Sequence, residues 1–155
     1  MNTRDTLKIN AAGHLEIGGA DCTKLAKEFQ TPLYAFDEAY IRKMMALYRD
    51  TINEEYDGHG LVLYASKAFS CKAMYAIAKQ EGIGVDVVSG GELYTALSAG
   101  FPAEKIYLHG NNKLPKERAE ALDAGIGGIV VDAYSEADAL DEEAAARNMV
   151  QDVLI

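Results

Sequence analysis

The sequence of 155 residues is poor in cysteine, in basic residues and in long apolar runs. Its two cysteines, Cys22 and Cys71, are too few and too far apart for a disulfide framework or a zinc site. Because 15 basic residues face 24 acidic ones, the formal net charge is -9 and the chain lacks the basic face that nucleic acid or an anionic membrane attracts. We therefore expect no nucleic-acid partner, no membrane partner and no metal site.

Targeting and membrane signals are also lacking. The start, MNTRDTLKIN, has no apolar core of a secretion signal, and no window approaches the ~18 consecutive apolar residues of a membrane span. These absences predict a cytoplasmic protein. Hydrophobic residues make up 49% of the chain and charged residues 25%, which is ordinary for a folded domain and argues against disorder.

Strand-like runs recur at nearly equal intervals along most of the chain. They begin near Leu61, Gly84, Lys105, Gly128 and Asp152, and each interval contains a helical pattern. Such alternation predicts parallel strands joined by right-handed crossovers, in a doubly wound sheet or a (β/α) barrel. No Gly-x-Gly-x-x-Gly follows the first strand, which weighs against a dinucleotide-binding sheet. The equal spacing favours an α/β fold built as an incomplete (β/α)8 barrel of about four units.

The residues before this repeat predict a different arrangement. Residues 7–17 contain two short strands, LKIN and HLEI, on either side of a turn. Asp21 is a candidate N-cap for a first helix, and Leu33–Phe36 is a candidate strand.

Helix boundaries inside the repeat are marked by proline, glycine and capping residues. Pro115 predicts the first turn of one helix and Gly125 predicts its end. Ser135 and Asp138 stand at capping distance and predict the start of the next helix.

The stretch LVLYASKAFSCK, residues 61–72, places a lysine where a predicted strand ends. Leu61–Ala65 is an apolar run typical of a strand buried on both faces, and Ser66 and Lys67 follow it. Ligands bind at the carboxyl ends of parallel strands in barrels. A lysine there is a candidate for Schiff-base chemistry, because desolvation favours the neutral, nucleophilic amine. The alternative is an ordinary exposed loop lysine.

Two further segments follow the next predicted strands. VDVVSGGE, residues 85–92, brings Asp86 near a strand end and sets Ser89 and Glu92 at the spacing of a capping box, so both can be explained as helix-start residues. The segment LHGNNK places His109 at the end of the third strand. There it can hydrogen-bond a cofactor or substrate, although such residues are also common in loops.

The segments YASKAFSCKAM, GVDVVSGGELYTALSAGFP and EKIYLHGNNK together resemble the amino-terminal part of the diaminopimelate decarboxylases, pyridoxal-phosphate enzymes built on an alanine-racemase-like barrel. The resemblance runs in register from about Thr31 to the last residue. It implies that Lys67 carries pyridoxal 5'-phosphate and that Asp86 and Glu92 lie near its amine. Ala65, at the end of the strand, is then expected in the floor of the pocket.

The resemblance also implies an activity and a division of the chain. A homodimeric parent enzyme would decarboxylate meso-2,6-diaminopimelate to L-lysine, and this chain would be an amino-terminal fragment that is inactive alone. Residues 1–20 would be strands of a separate β-domain, and residues 21–155 the first part of the barrel. The phosphate-binding loop and the acid facing the pyridinium nitrogen would follow Ile155.

Other functions stay open at this point. Related decarboxylases of the same fold act on ornithine, arginine or carboxynorspermidine and share the lysine, although the wording SGGELYTAL favours diaminopimelate. A non-catalytic pyridoxal-phosphate-binding protein is the alternative from a different class.

Overall fold

A computed structural model describes residues 6–155 of the chain, so the first five residues of the predicted segment 1–20 lie outside the described residues. The chain divides into two compact units, Met1–Leu47 and Tyr48–Ile155. Helix α2, Glu38–Glu55, contributes residues to both units. No helix in the described part is both long and apolar enough to cross a lipid bilayer.

The first unit contains a three-stranded antiparallel sheet followed by a helix. The elements are β1 (Leu7–Ile9), β2 (Leu15–Ile17), β3 (Ala20–Asp21) and α1 (Cys22–Phe29). The side-chain oxygen of Asn10 accepts hydrogen bonds from the backbone nitrogens of Ala12 and His14, each 3.0 Å long, within the turn between β1 and β2. The predicted pair of strands is confirmed. Asp21 caps α1 as predicted, because its Oδ1 accepts from the nitrogen of Thr23 at 2.8 Å.

The segment leading into α2 differs from the prediction. Leu33–Phe36 belongs to no strand, and neither sheet of the described residues includes it, so the predicted strand is wrong. A run of strand-forming residues becomes a strand only when a neighbouring strand offers hydrogen bonds, and sequence periodicity carries no information about that neighbour. Asp37 follows this segment, and its Oδ1 accepts a hydrogen bond from the nitrogen of Tyr40 at 3.1 Å in the first turn of α2.

The second unit is a parallel sheet whose strands alternate with helices. Its strands are β4 (Leu63–Ala65), β5 (Gly84–Val87), β6 (Ile106–Leu108), β7 (Gly128–Val130) and β8 (Val153–Leu154), and its main helices are α3 (Lys72–Gln80), α4 (Gly90–Ser98), α5 (Pro115–Ala124) and α6 (Tyr134–Ala145). Each strand pairs in parallel with the next one along the chain, in the order β4-β5-β6-β7-β8. A doubly wound sheet reverses its order at a switch point, whereas a barrel keeps it. The order confirms the predicted (β/α) barrel architecture, with four βα units and a fifth strand in the described residues.

One face of the parallel sheet forms the core with the helices. The strand side chains on this face are completely buried, namely Val85, Val87, Ile106, Leu108 and Ile129. Large buried side chains on the helices are Tyr75, Leu93 and Leu122. Burying each such side chain stabilises the fold by roughly 1.5–3 kcal/mol. This layer therefore determines which face of each strand is turned to the helices.

Two glycines let neighbouring chain segments approach closely. A Cβ at Gly84 would lie 2.7 Å from the carbonyl oxygen of Lys105, and a Cβ at Gly127 would overlap the carbonyl oxygen of Glu104. A side chain at either position has to displace backbone, which packed segments resist. The two glycines therefore permit the close spacing of the strands that follow α3 and α5.

The start of α5 is joined to the start of α4 by Glu117. Pro115 occupies the first position of α5 and Gly125 ends it in the left-handed conformation with φ of 63°, both as predicted. Glu117 accepts hydrogen bonds from the backbone nitrogens of Leu114 and Gly90, each 2.9 Å long. These two bonds lower the pKa of Glu117, because they favour its ionised form.

The start of α6 corrects another prediction. Ser135 and Asp138 do not form the predicted capping pair, because α6 begins at Tyr134 and Ser135 is already the second residue of the helix. Ala133 is the N-cap of α6 and offers no side-chain hydrogen bond to it. Oε2 of Glu136 instead accepts a hydrogen bond from the backbone nitrogen of Asp132 at 2.9 Å, just before the helix.

A buried lysine anchors the loop after β6. The side chain of Lys113 is only 1% exposed, and its Nζ lies 2.9 Å from Oε1 of Glu136. The same ammonium donates to the carbonyl oxygens of Gly110 and Val130, the latter at 2.7 Å. These three acceptors match the three N–H donors of an ammonium group. Lys113 therefore ties this loop to the end of β7 and the first turn of α6.

We expect Lys113→Met to destabilise the chain by about 3–5 kcal/mol, because the substitution leaves the Glu136 carboxylate and two carbonyl groups without their cation. The free energy of unfolding in urea is the measurement. Lys116→Met is the matched control, because Lys116 is 84% exposed and its ion pair with Glu120 is long, at 3.6 Å; its expected effect is within about 0.5 kcal/mol. Equal effects of the two substitutions would contradict the anchoring role.

Candidate active site at the carboxyl ends of the strands

The register of the parallel sheet turns Asp86 away from the helices. Ala65 pairs with Asp86, and Asp86 pairs with Tyr107. Side chains alternate between the two faces along a strand, and residues paired across neighbouring strands share a face. Val85 and Val87 on either side of Asp86 are buried in the core. Ala65, Asp86 and Tyr107 therefore form a row on the opposite face of the sheet.

Lys67 stands at the carboxyl end of β4. The strand ends at Ala65, and the chain turns directly into a one-turn 3₁₀ helix, Ser66–Ala68, with Lys67 in its middle. Lys67 is exposed. The lysine thus occupies the position at the strand end that the sequence predicts, and its side chain is accessible to a ligand on this rim.

Ser66 and Glu92 join the end of β4 to β5 and α4. Ser66 is completely buried, and its Oγ lies 2.8 Å from both the carbonyl oxygen of Asp86 and Oε2 of Glu92. The same Glu92 oxygen accepts a hydrogen bond from the backbone nitrogen of Val88 at 2.8 Å. Ser89 is the N-cap of α4, as the capping spacing predicts. The Glu92 carboxylate, however, reaches past the cap to the lysine-bearing turn, so it serves the helix start and the rim together.

Asp86 and His109 face each other, and the charge of Lys67 reaches Asp86. Oδ2 of Asp86 lies 3.9 Å from Nδ1 of His109, and the Asp86 side chain is 19% exposed while that of His109 is 46% exposed. The backbone nitrogen of His109 donates to the carbonyl oxygen of Val87 at 2.8 Å, which holds it beside the end of β5. Burial raises the pKa of Asp86; the charges of His109 and Lys67 oppose that rise, and the charge of Glu92 adds to it.

Tyr64 braces the other side of the lysine-bearing turn. Its hydroxyl donates to the carbonyl oxygen of Phe69 at 3.1 Å, and burial raises its pKa. The Ser70 and Tyr75 hydroxyls lie 3.0 Å apart just beyond. The short segment that carries Lys67 is therefore held on both sides, by side chains from β4, α3 and α4 and by a backbone carbonyl group of β5.

The structure brings all five sequence-predicted site residues to one end of β4, β5 and β6, namely Ala65, Lys67, Asp86, Glu92 and His109. Sequence reasoning did not single out Ser66, whose only local signal is its place directly before the lysine. An accessible amine beside a partly buried carboxyl group and an imidazole can bind a carbonyl compound and exchange protons with it. Within residues 6–155 no three His, Cys, Asp or Glu side chains cluster as metal ligands.

Comparison with known protein families gives a match over most of the chain. The model of the pyridoxal-binding domain of pyridoxal-dependent decarboxylases matches residues 39–155. The chain is 49% identical over its full length to a diaminopimelate decarboxylase of Bacillus methanolicus, of which it covers 36%. It is 47% identical over its full length to the diaminopimelate decarboxylase of Bacillus subtilis, of which it covers 35%.

Solved structures give a corresponding result. Diaminopimelate decarboxylase from M. jannaschii superposes with a TM-score of 0.85 at 34% sequence identity, over 97% of this chain and 35% of that one. A second structure of that protein, in complex with L-lysine, also superposes with a TM-score of 0.85 at 32% identity, over 99% of this chain and 36% of that one. The chain therefore spans about a third of the length of the relatives that it matches.

We expect Asp86→Asn to stabilise the chain increasingly as the pH rises. The folded state raises the pKa of Asp86 above its ordinary value, so the contribution of Asp86 to stability is full below that value and is lost as the pH rises through the raised pKa. Asparagine cannot ionise and avoids this loss. The measurement is the urea midpoint of both proteins between pH 4 and pH 8.

Asp138→Asn is the control for this series, because Asp138 is exposed on α6. Its urea midpoint across the same range is the reference for removing a carboxyl group that is not buried. A difference between Asp86→Asn and the unsubstituted chain that does not grow with pH would contradict the assigned burial of the carboxyl group.

Proposed function

The chain belongs to the pyridoxal-dependent decarboxylases through their pyridoxal-binding domain, and from this premise we propose that it is the amino-terminal, cofactor-binding part of a diaminopimelate decarboxylase. The names of the matched relatives support this substrate class. Because the chain spans about a third of their length, decarboxylation is proposed for the full-length protein, and the 155-residue chain alone is proposed to be inactive.

One observation carries the proposal: β4 ends in an exposed lysine next to a partly buried carboxyl group and an imidazole. Pyridoxal phosphate is held through an amine, and Lys67 offers an accessible one at the carboxyl end of a parallel strand. Asp86 and His109 stand beside it, 3.9 Å from each other. The donor set thus fits the carbonyl end of this cofactor.

Each of the five residues then has a role at this end of the sheet. Lys67 holds the cofactor through Nζ. Asp86 balances the charge of that amine, and because burial raises its pKa it holds a proton more readily than an exposed aspartate does. Glu92 holds the turn that carries Lys67, and Ala65 presents only a methyl group beside Asp86.

His109 completes the set. Its Nδ1 faces Asp86 and its ring is about half exposed, so it hydrogen-bonds the cofactor or the substrate. When bound, pyridoxal 5'-phosphate supplies an electron sink for the electrons left behind as a bond to the α-carbon of an amino acid breaks.

The substrate is proposed to be meso-2,6-diaminopimelate and the product L-lysine. The M. jannaschii diaminopimelate decarboxylase has been solved in complex with L-lysine, which supports this choice. The rivals within the family act on ornithine, arginine or carboxynorspermidine. The alternative from a different class is a non-catalytic pyridoxal-phosphate-binding protein. Such a protein would bind the cofactor and release no carbon dioxide from any of these amino acids.

The family resemblance supports three further parts of the proposal. The full-length protein is a homodimer, and it acts in the cytoplasm. Residues 1–20 belong to a separate β-domain, and residues 21–155 form the first part of the barrel that binds the cofactor.

The test uses the full-length protein that contains this chain. Borohydride reduction fixes pyridoxal phosphate to the amine that it has joined, and peptide mass spectrometry should locate the added mass on Lys67. Lys67→Ala should lose this label and lower the release of carbon dioxide from diaminopimelate by at least about a thousandfold, because the nucleophilic amine is gone. Lys72→Ala is the matched control, since Lys72 is an exposed lysine at the start of α3, and it should keep both properties.

The proposal would be contradicted if the label lay on other lysines and Lys67→Ala kept full turnover. Carbon dioxide release from ornithine or arginine in preference to diaminopimelate would replace the substrate and keep the cofactor site. Labelled Lys67 with no turnover of any of these amino acids would favour the non-catalytic alternative.

A further inference from the structure

We infer that Ser66 is a positioning residue, whose buried hydroxyl fixes the backbone of Lys67 so that the amine meets its carbonyl partner in one orientation. The inference rests on the proposed function of Lys67. Nothing in the chemistry of the cofactor itself requires a serine at this place, so the argument depends on the geometry around the hydroxyl.

The Ser66 hydroxyl has one proton and two acceptors. Its Oγ lies 2.8 Å from the carbonyl oxygen of Asp86 in β5 and 2.8 Å from Oε2 of Glu92 in α4. Ser66 is itself completely buried, so water does not compete for either acceptor. A hydroxyl donates only one hydrogen, so this hydrogen is shared between the two fixed acceptors. This arrangement ties the residue next to Lys67 to two other elements at once.

Glu92 is a rigid partner for this hydroxyl. Its Oε2 also accepts a hydrogen bond from the backbone nitrogen of Val88 at 2.8 Å. Its own backbone nitrogen is capped by Oγ of Ser89 at 3.3 Å. A hydrogen bond to a carboxylate is roughly twice as strong as one between neutral groups, and more so in a buried place. Movement of Ser66 therefore requires breaking a bond to a group that is itself held by backbone.

The turn is also held beyond the lysine. The Tyr64 hydroxyl binds the carbonyl oxygen of Phe69 at 3.1 Å. Lys67 thus lies between an inner anchor at Ser66 and an outer anchor at Phe69, and the two are three residues apart. With both anchors in place, the amine moves by rotation of its own side chain and little by displacement of its backbone.

The position of the Lys67 amine matters for a covalent step. Misplacing a reacting group by 1 Å can lower a rate by about a hundredfold. The inner anchor is the one adjacent to Lys67. It joins the end of β4 to the backbone of Asp86, and the charge of Lys67 acts on the carboxyl group of that residue. Loss of the Ser66 hydroxyl therefore releases Lys67 from the neighbours that it acts with. A purely structural role predicts only lower stability.

The experiment compares Ser66→Ala with the unsubstituted full-length protein. Pyridoxal phosphate is added to each apoprotein at a temperature at which circular dichroism shows both folded, and samples are reduced with borohydride at successive times. Mass spectrometry gives the rate of labelling at Lys67 relative to Lys72 in the same sample. We expect the ratio to fall about tenfold or more in Ser66→Ala, with unchanged labelling of Lys72. The kcat for the proposed substrate should fall with little change in KM.

A second variant and a control separate positioning from stability. Ser66→Cys replaces the hydroxyl by a larger thiol that is only a weak donor, so it should show the same fall without leaving a cavity. Ser98→Ala removes an exposed serine from α4 and should leave the ratio unchanged.

A ratio equal to that of the unsubstituted protein in folded Ser66→Ala or Ser66→Cys overturns the inference and leaves the proposed function intact. So does failure of both variants to fold, which makes the role structural. Absence of label from Lys67 in the unsubstituted protein overturns the proposed function, and the inference with it.

Discussion

The register between β4, β5 and β6 is the constraint on which the candidate site depends. Successive side chains of a strand point to opposite faces, so a slip of one residue would turn Asp86 into the core and bring a valine to the rim. Val85 and Val87 are both completely buried on the helix side, and each resists such a slip by roughly 1.5–3 kcal/mol. The same register pairs Ala65 with Asp86 and so determines where the chain leaves β4 and enters the turn of Lys67.

The features that could be predicted from the sequence are those set by local pattern. Strand starts were expected near residues 61, 84, 105, 128 and 152, and the strands begin at Leu63, Gly84, Ile106, Gly128 and Val153. The signals that mark each strand lie close together in the sequence. They are the apolar run itself, the glycine before it and the helix after it. The position of a residue at a strand end is equally local, which is why the sequence alone predicts Lys67, Asp86 and His109 on one rim.

The features that sequence reasoning missed depend on contacts between distant residues. Ser66 binds Glu92 across 26 residues, and Lys113 binds Val130 across 17. Neither periodicity nor capping patterns report a partner at such a separation, so both residues look like ordinary loop residues in the sequence. Residues 33–36 show the converse error, because they carry a strand pattern but residues 6–155 contain no strand that pairs with them.

The charges around Lys67 limit how a phosphorylated cofactor lies against this rim. A phosphate monoester carries roughly -1.5 to -2 charges near neutral pH, and the carboxyl groups of Asp86 and Glu92 oppose its approach. Lys113 is the buried cation of the neighbouring loop, but its ammonium already has Gly110, Val130 and Glu136 as acceptors. The rim is therefore suited to the carbonyl end of the cofactor and poorly suited to its phosphate. The phosphate is best held by a part of the protein other than the ends of β4 and β5.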